Sequence, residues 1–281
     1  MSADEKLRVL IPQDGSEPGE AALLEIRPLI RSGPVECTLL HSTEGPDPAE
    51  GLEGRLKMHR AALEDLGAPT RIRIVSGKPC QEILQQTATG EFDLVAMSTH
   101  GRRGLDRVRM GSVAEEVVRS SVVPTLLCRA GTSAPTWDHV VVALNGMAGA
   151  EEVLEDVRRL ARRLKATVHL LRVGLNLLLS NAYRGVHLEV PVDESSSYLE
   201  DVGARLMAEG IRITTDRRSG LAAAEIVQFA REVDAGLICM TTQGRAEELP
   251  GMDRSVAAEV IRRAPCPVYV RRMTASACRS R

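Results

Sequence analysis

The chain has 281 residues, 36 basic and 38 acidic side chains, and a formal charge of −2. That balance gives no electrostatic footprint for nucleic acid, and aromatic residues at 2% leave almost no base-stacking platform. With 43% hydrophobic and 26% charged residues it has an ordinary soluble globular composition, long enough for two domains. No apolar run approaches membrane-spanning length. Met1 to Lys6 is charged and leads straight into a strand, so a cytoplasmic protein without a signal peptide is expected. Six cysteines (37, 80, 128, 239, 266 and 278) lack CxxC spacing and read as reduced thiols used for packing.

In chain order, Leu7 to Pro12 is a short apolar strand, followed by the turn Gln13-Asp14-Gly15-Ser16. Glu17-Pro18 opens a helix that the pattern carries to about Arg31. Val35 to His41 is a second strand. Ala49 to Leu66 is a helix with Leu52, Leu56, His59 and Leu63 on one face. Thr70 to Val75 is a third strand, Pro79 to Ala88 a helix, Phe92 to Ser98 a fourth strand, Ser112 to Ser120 a helix, and Pro124 to Arg129 a fifth strand. Alternating strands and helices mean a parallel sheet with right-handed crossovers. Ligands on such sheets sit at the carboxyl ends of the strands, where Asp14 and Ser98 both fall.

The most informative stretch is Leu94 to Gly101, nine residues, then Gly111-Ser112-Val113-Ala114-Glu115. A buried strand feeds a loop, and the loop feeds a helix N-terminus. Ser112 with Glu115 three residues on reads as a capping box. Unpaired N–H groups and the helix dipole suit an anion there. Gly101 and Gly111 let a phosphate approach the main chain. Arg102, Arg103, Arg107 and Arg109 against Asp106 give the loop a charge of +3. A helix cap beside a solvated arginine face explains the same residues equally well without a ligand.

After Ala130 to Thr136, a linker by composition, the pattern begins again. Asp138 to Gly146 echoes Arg8 to Gly15, and Met240 to Gly244 echoes Met97 to Gly101. From Gly101 to Arg129 the offset between copies is a constant 143 residues. The copies differ where an anion would bind: Asp14 becomes Asn145, His100 becomes Gln243, Gly111 becomes Arg254 and Glu115 becomes Ala258. The second loop, with Arg245 against Glu247, Glu248 and Asp253, carries −2. One competent anion site, in the first copy, is therefore expected. An extra segment from Gly174 to Asp193, with Leu177 to Leu179, Tyr183 and His187, reads as a lid, a protein-contact patch or a plain surface loop. The basic tail after Met273 is expected to be disordered.

Over nearly its whole length the chain resembles the universal stress protein family in its tandem form. The family pattern G-x-x-G, nine residues, G-[S/T] stands here as Ser98-Thr-His-Gly101, nine residues, Gly111-Ser112, with Asp14-Gly-Ser after the first strand and a Pro124-led final strand. Ser98 departs from the family's first glycine, and the second copy departs at Asn145, Thr241 and Arg254. The resemblance implies an α/β fold of two tandem Rossmann-like domains, each a five-stranded parallel sheet in order 3-2-1-4-5 flanked by helices. The boundaries are residues 1–130, a linker at 131–137, residues 138–273 and a tail at 274–281. It implies ATP or another adenine nucleotide, with Mg²⁺, in the first domain. By carry-over Pro12 lines the base pocket, Asp14 sits near ribose or adenine, and His41 and Ser42 offer backbone groups to the base. Met97 and Ser98 border the nucleoside. Gly101, Gly111, Ser112 and Val113 hold phosphates, with His100, Arg102 and Arg103 beside them. Asp14 could reach Mg²⁺ through water, and its plain alternative is a turn residue bonding its own backbone. The family's domains pair through their last strands, which suggests that the two copies pack together here, and a homodimer is a further expectation.

Three functional classes are compatible with these residues. The first is a nucleotide-binding regulator of a stress response whose protein partner the sequence does not name. The second is a slow ATP hydrolase or self-phosphorylating protein. It has only His100 as a candidate base, and no catalytic set is evident. The third is a nucleotide-free scaffold, against which Gly101 and Gly111 argue.

Overall fold

The computed structural model describes residues 6–43, 51–99, 110–131, 136–174, 197–243 and 255–274. The first half holds β1 (Leu7–Pro12), α1 (Ala21–Glu25), α2 (Arg27–Ser32), β2 (Val35–Thr43), α3 (Leu52–Asp65), β3 (Thr70–Ser76), α4 (Pro79–Ala88), β4 (Leu94–Ser98), α5 (Ser112–Ser120) and β5 (Thr125–Cys128). The second holds β6 (His139–Leu144), α6 (Val153–Leu164), β7 (Thr167–Gly174), α7 (Tyr198–Ala208), β8 (Arg212–Ser219), α8 (Ala222–Glu232), β9 (Leu237–Thr242), α9 (Val256–Arg263) and β10 (Val268–Arg272).

The strands form one ten-stranded sheet in the order β3-β2-β1-β4-β5-β10-β9-β6-β7-β8. Each half is parallel and ordered 3-2-1-4-5, as the resemblance implies. The halves join where β5 and β10 pair antiparallel, with Tyr269 opposite Leu126. Their strands therefore run in opposite directions, and their carboxyl ends lie on opposite edges of the sheet.

Central strands are apolar on both faces because helices cover both. One core layer holds Val9, Ile11 and Leu39 with Leu29 of α2 and Leu56 of α3, and continues in the second half with Leu154 of α6 and Leu199 of α7. The other layer holds Leu10, Leu40 and Val95 with Ile83 of α4 and Val117 of α5, and continues with Val227 of α8 and Val260 of α9. The expected stripe Leu52, Leu56, His59, Leu63 is buried in full. Cys37, Cys128, Cys239 and Cys266 are buried free thiols, and Cys80 is half-buried. Burial pushes Cys37 and Cys266 up to about 12, so these thiols are inert packing groups. Cys278 lies outside the described residues.

Two expectations need correction. The helix after Pro18 is not continuous: a 3₁₀ turn at Pro18–Glu20 leads to α1, and Ile26 separates α1 from α2. Pro28 is the cause, because it cannot donate to the carbonyl four residues back and its ring crowds that turn. The capping box also fails. Gly111 is the N-cap, its carbonyl accepting from Glu115 N at 3.0 Å, and no side chain caps the helix. Ser112 already has helical geometry, so its hydroxyl is one position too late to play that role.

Beyond the strand pair, the halves are tied by Arg163 at the end of α6. It donates to Ser32 Oγ at 3.1 Å and to the Pro34 carbonyl at 2.7 Å, at the C-terminus of α2, where a cation complements the dipole. No helix among the described residues is long and apolar enough to cross a membrane.

Candidate functional site

β1 lies between β2 and β4, with Leu10 opposite both Thr38 and Val95. Its carboxyl end therefore meets theirs on one edge, at the switch point of the first half. Pro12 is the last residue of β1 and is half-buried. His41 and Ser42 belong to β2, and Met97 and Ser98 end β4. Gly111 reaches the same edge because its N–H donates to the Thr99 carbonyl at 2.8 Å. Ser112 and Val113 open α5. His100, Gly101, Arg102, Arg103 and the rest of the arginine loop lie outside the described residues, as do its acidic counterpart and residues 175–196.

Local chemistry builds each part. Asp14 Oδ1 accepts from Ser16 N at 2.9 Å and from Ser16 Oγ at 2.6 Å, an Asx turn. Gly15 follows at φ 75°, which glycine tolerates best. Gly19 packs so closely that a Cβ there would stand 2.5 Å from Asp14 Oδ1. Across the edge, His41 is 6% exposed, and its Nδ1 lies 2.7 Å from the Gln13 carbonyl. Ser42 Oγ donates to the Gly77 carbonyl at 2.5 Å, closing the gap between β2 and β3. Met97 is 5% exposed and packs into the α4–α5 core, so its side chain is part of the floor under the edge.

Gly111 has φ −63° and ψ 144°, open to any residue, so backbone conformation does not demand glycine. Space there is snug but not closed: a Cβ would stand 3.3 Å from the Thr99 carbonyl oxygen. Its N–H is committed to Thr99, so the donors at the start of α5 are those of Ser112, Val113 and Ala114, ahead of the first helical bond at Glu115.

The second domain supplies a built-in control. Asn145 Oδ1 accepts from Met147 N at 2.9 Å, and Gly146 has φ 85°. The same turn forms without a charge. The backbone bond of the turn therefore does not require a carboxylate, although Asp14 accepts in addition from Ser16 Oγ, which Met147 cannot supply.

Three contributors escaped sequence reasoning. Thr99 anchors Gly111 from inside the motif. Arg55 of α3 donates to the Gly15 carbonyl at 2.6 Å and lies 3.7 Å from Glu20. No local pattern connects residues forty apart. Gln13, 3% exposed, sits where the second copy has the buried Leu144. Its Nε2 reaches the Gly19 carbonyl at 3.3 Å, but its Oε1 has no partner among the described residues. Nearby His59 is buried too, its Nε2 3.2 Å from Glu20 Oε1 without the alignment of a hydrogen bond.

This polar inset predicts unequal reciprocal swaps. Leu144→Gln places an amide among apolar neighbours and is expected to cost about 2–3 kcal/mol in urea unfolding. Gln13→Leu removes an orphaned oxygen and is expected to change stability by less than about 1 kcal/mol. Equal costs would show that Gln13 is fully satisfied.

A groove of about 270 Å³ lies elsewhere, near the amino ends of β1–β3, lined by Arg8, Glu36, Arg71, Arg73 and Phe92. Its arginines are paired, Arg8 with Asp93, Arg71 with Glu36 and Arg73 with Glu91, so it offers no ready anion site.

Fold and edge together define a fused pair of doubly wound α/β domains with a ligand-type turn at the carboxyl end of each first strand. The universal stress protein family model matches residues 7–129 and again 136–272, and the chain belongs to that family as a tandem, two-domain member. Two universal stress proteins of Methanocaldococcus jannaschii are 27% and 26% identical to it, over 138 and 152 residues. Each match takes 43% of this chain and covers 81% or 94% of the relative. A universal stress protein from Archaeoglobus fulgidus has a similar structure throughout, with TM-score 0.74 and 21% identity over 96% of this chain and 97% of that one. That likeness concerns the fold.

Proposed function

We propose that the chain is an adenine-nucleotide-binding regulator of a stress response, with ATP held by the first domain, residues 1–130. A linker at 131–137 leads to a second domain, 138–273, that is structural or regulatory. The observation that carries this reading is the pair of turns. Asp14 and Asn145 make the same backbone hydrogen bond at 2.9 Å, so the turn itself does not require a carboxylate, and on this reading the one at Asp14 faces the ligand. On this reading Pro12, His41, Ser42 and Ser98 of the same sheet edge serve the nucleoside, and the N–H groups of Ser112 and Val113 serve phosphate. The four arginines and Gly101 of the preceding loop complete the set by sequence.

A single carboxylate fits an Mg²⁺ held mainly by phosphates and water rather than by a protein cage. No protein cage of three or more His, Cys, Asp or Glu is present among the described residues. Mg²⁺ would neutralise phosphate charge while Asp14 orients its water.

The test is to denature the purified protein and quantify released nucleotide per chain, then to titrate stripped protein with ATP and Mg²⁺. About one adenine nucleotide per chain supports a single working site. Two would mean that the second domain is competent. None, either released or titrated, would sink the proposal.

A further inference from the structure

The two domains handle their turn glycine with different residues. In the first, the guanidinium at the turn comes from the helix: Arg55 of α3 donates to the Gly15 carbonyl. The strand-end residue His41 is buried, with its ring nitrogen on the Gln13 carbonyl. In the second, both positions change. Leu144, the counterpart of Gln13, pairs with Arg172, so Arg172 stands where His41 stands. Tyr198, at the start of α7, stands where Arg55 stands, since the 143-residue offset also superposes Leu56 on Leu199 and Leu63 on Leu206.

The Arg172 side chain folds over the turn. Its guanidinium carbon and one terminal nitrogen are each 3.2 Å from where a Cβ on Gly146 would stand. The same guanidinium carbon lies 5.7 Å from the centre of the Tyr198 ring. A planar cation therefore lies against the turn and within cation–π reach of an aromatic ring, at the carboxyl edge of β6 and β7. A guanidinium stacks on aromatic faces much as a flat heterocycle does.

We infer that Arg172 is an internal plug, occupying the nucleoside half of the second domain's pocket and closing it to adenosine. This rests on the nucleotide reading of the first domain, which identifies that half of the pocket. It adds a second barrier, independent of the acidic loop. Glu247, Glu248 and Asp253 repel phosphates but have no quarrel with an uncharged nucleoside. Arg172 excludes the nucleoside itself. Arg172 is thus a specificity-determining residue, and Tyr198 is a stacking surface that the plug conceals.

The experiment uses the full chain and two probes, adenosine and ATP with Mg²⁺, in equilibrium dialysis. Arg172→Ala is expected to bind one more adenosine per chain than the wild type and no additional ATP, because the acidic loop remains. Arg172→His, which restores the first domain's residue, provides a second variant if the alanine change impairs folding. The emission of Trp137, the sole tryptophan and 1% exposed, reports the fold of each. Folded variants whose adenosine count equals that of the wild type overturn the plug and leave the first-domain reading intact. A wild-type chain that takes up neither ATP nor adenosine overturns the first-domain reading instead.

Discussion

Gly111→Arg is expected to abolish ATP binding while leaving the fold unchanged. The loss should be about a hundredfold or more, or ~2.8 kcal/mol, in isothermal titration with ATP and Mg²⁺. Two features set the expectation. Gly111 has φ −63° and ψ 144°, so its backbone accepts a side chain without strain. Its one close neighbour among the described residues is the Thr99 carbonyl, 3.3 Å from a Cβ, and its place at the N-cap puts an added cationic side chain at the start of α5, beside the N–H groups proposed to meet phosphate. The second copy already carries Arg254 at this position. A normal ATP isotherm for the folded mutant would show that the phosphate site lies elsewhere. Arg254→Gly is not expected to create a second ATP site, since Arg172 and the acidic loop remain.

Gly236→Ala is expected to have the largest effect on stability. Gly236 leads into β9, and its N–H donates to the His139 carbonyl at 2.9 Å. A Cβ there would stand 2.1 Å from the Thr136 carbonyl oxygen and 2.7 Å from the Trp137 Cα. Both are main-chain atoms that cannot rotate aside, so β6 and the buried Trp137 must move. The expected cost is about 3 kcal/mol, the upper end for overpacking. In a chain of this size that lowers the melting temperature by about 6–12 °C. Trp137 emission should shift to the red. A mutant within about 0.5 kcal/mol of wild type would mean that residues 136–137 yield freely.

The periodic parts of this fold were readable in advance. Strands β1, β4 and β6 announce themselves as short apolar runs, and α4 and α5 start and stop where their residue types place them. The break at Ile26 leaves no mark in the apolar spacing, which runs on through Pro28 while its missing N–H interrupts the ladder. The edge that gathers Asp14, His41 and Ser98 follows from strand order, itself inherited from the resemblance. What local pattern could not supply was contact between distant elements. Arg55 on Gly15, Arg163 on α2 and Arg172 on Gly146 each join residues whose spacing carries no signal. Asp14 shows the limit from the other side. Its turn was foreseeable from residue type, but only the matching bond made by Asn145 separates charge from turn.

The antiparallel join of β5 to β10 has a consequence for inheritance. When two identical chains meet across a two-fold axis, every substitution appears twice, so one ligand site cannot be lost while its twin is kept. Here the two halves share a chain but not a codon. Asp14 and Asn145, or Gly111 and Arg254, can drift apart one change at a time. Because the strand directions oppose, the diverging edges point away from each other, and a change at one leaves the other untouched. The fusion gives the sheet a polarity that identical subunits could not hold: an aspartate and a glycine at one end, an asparagine and an arginine at the other.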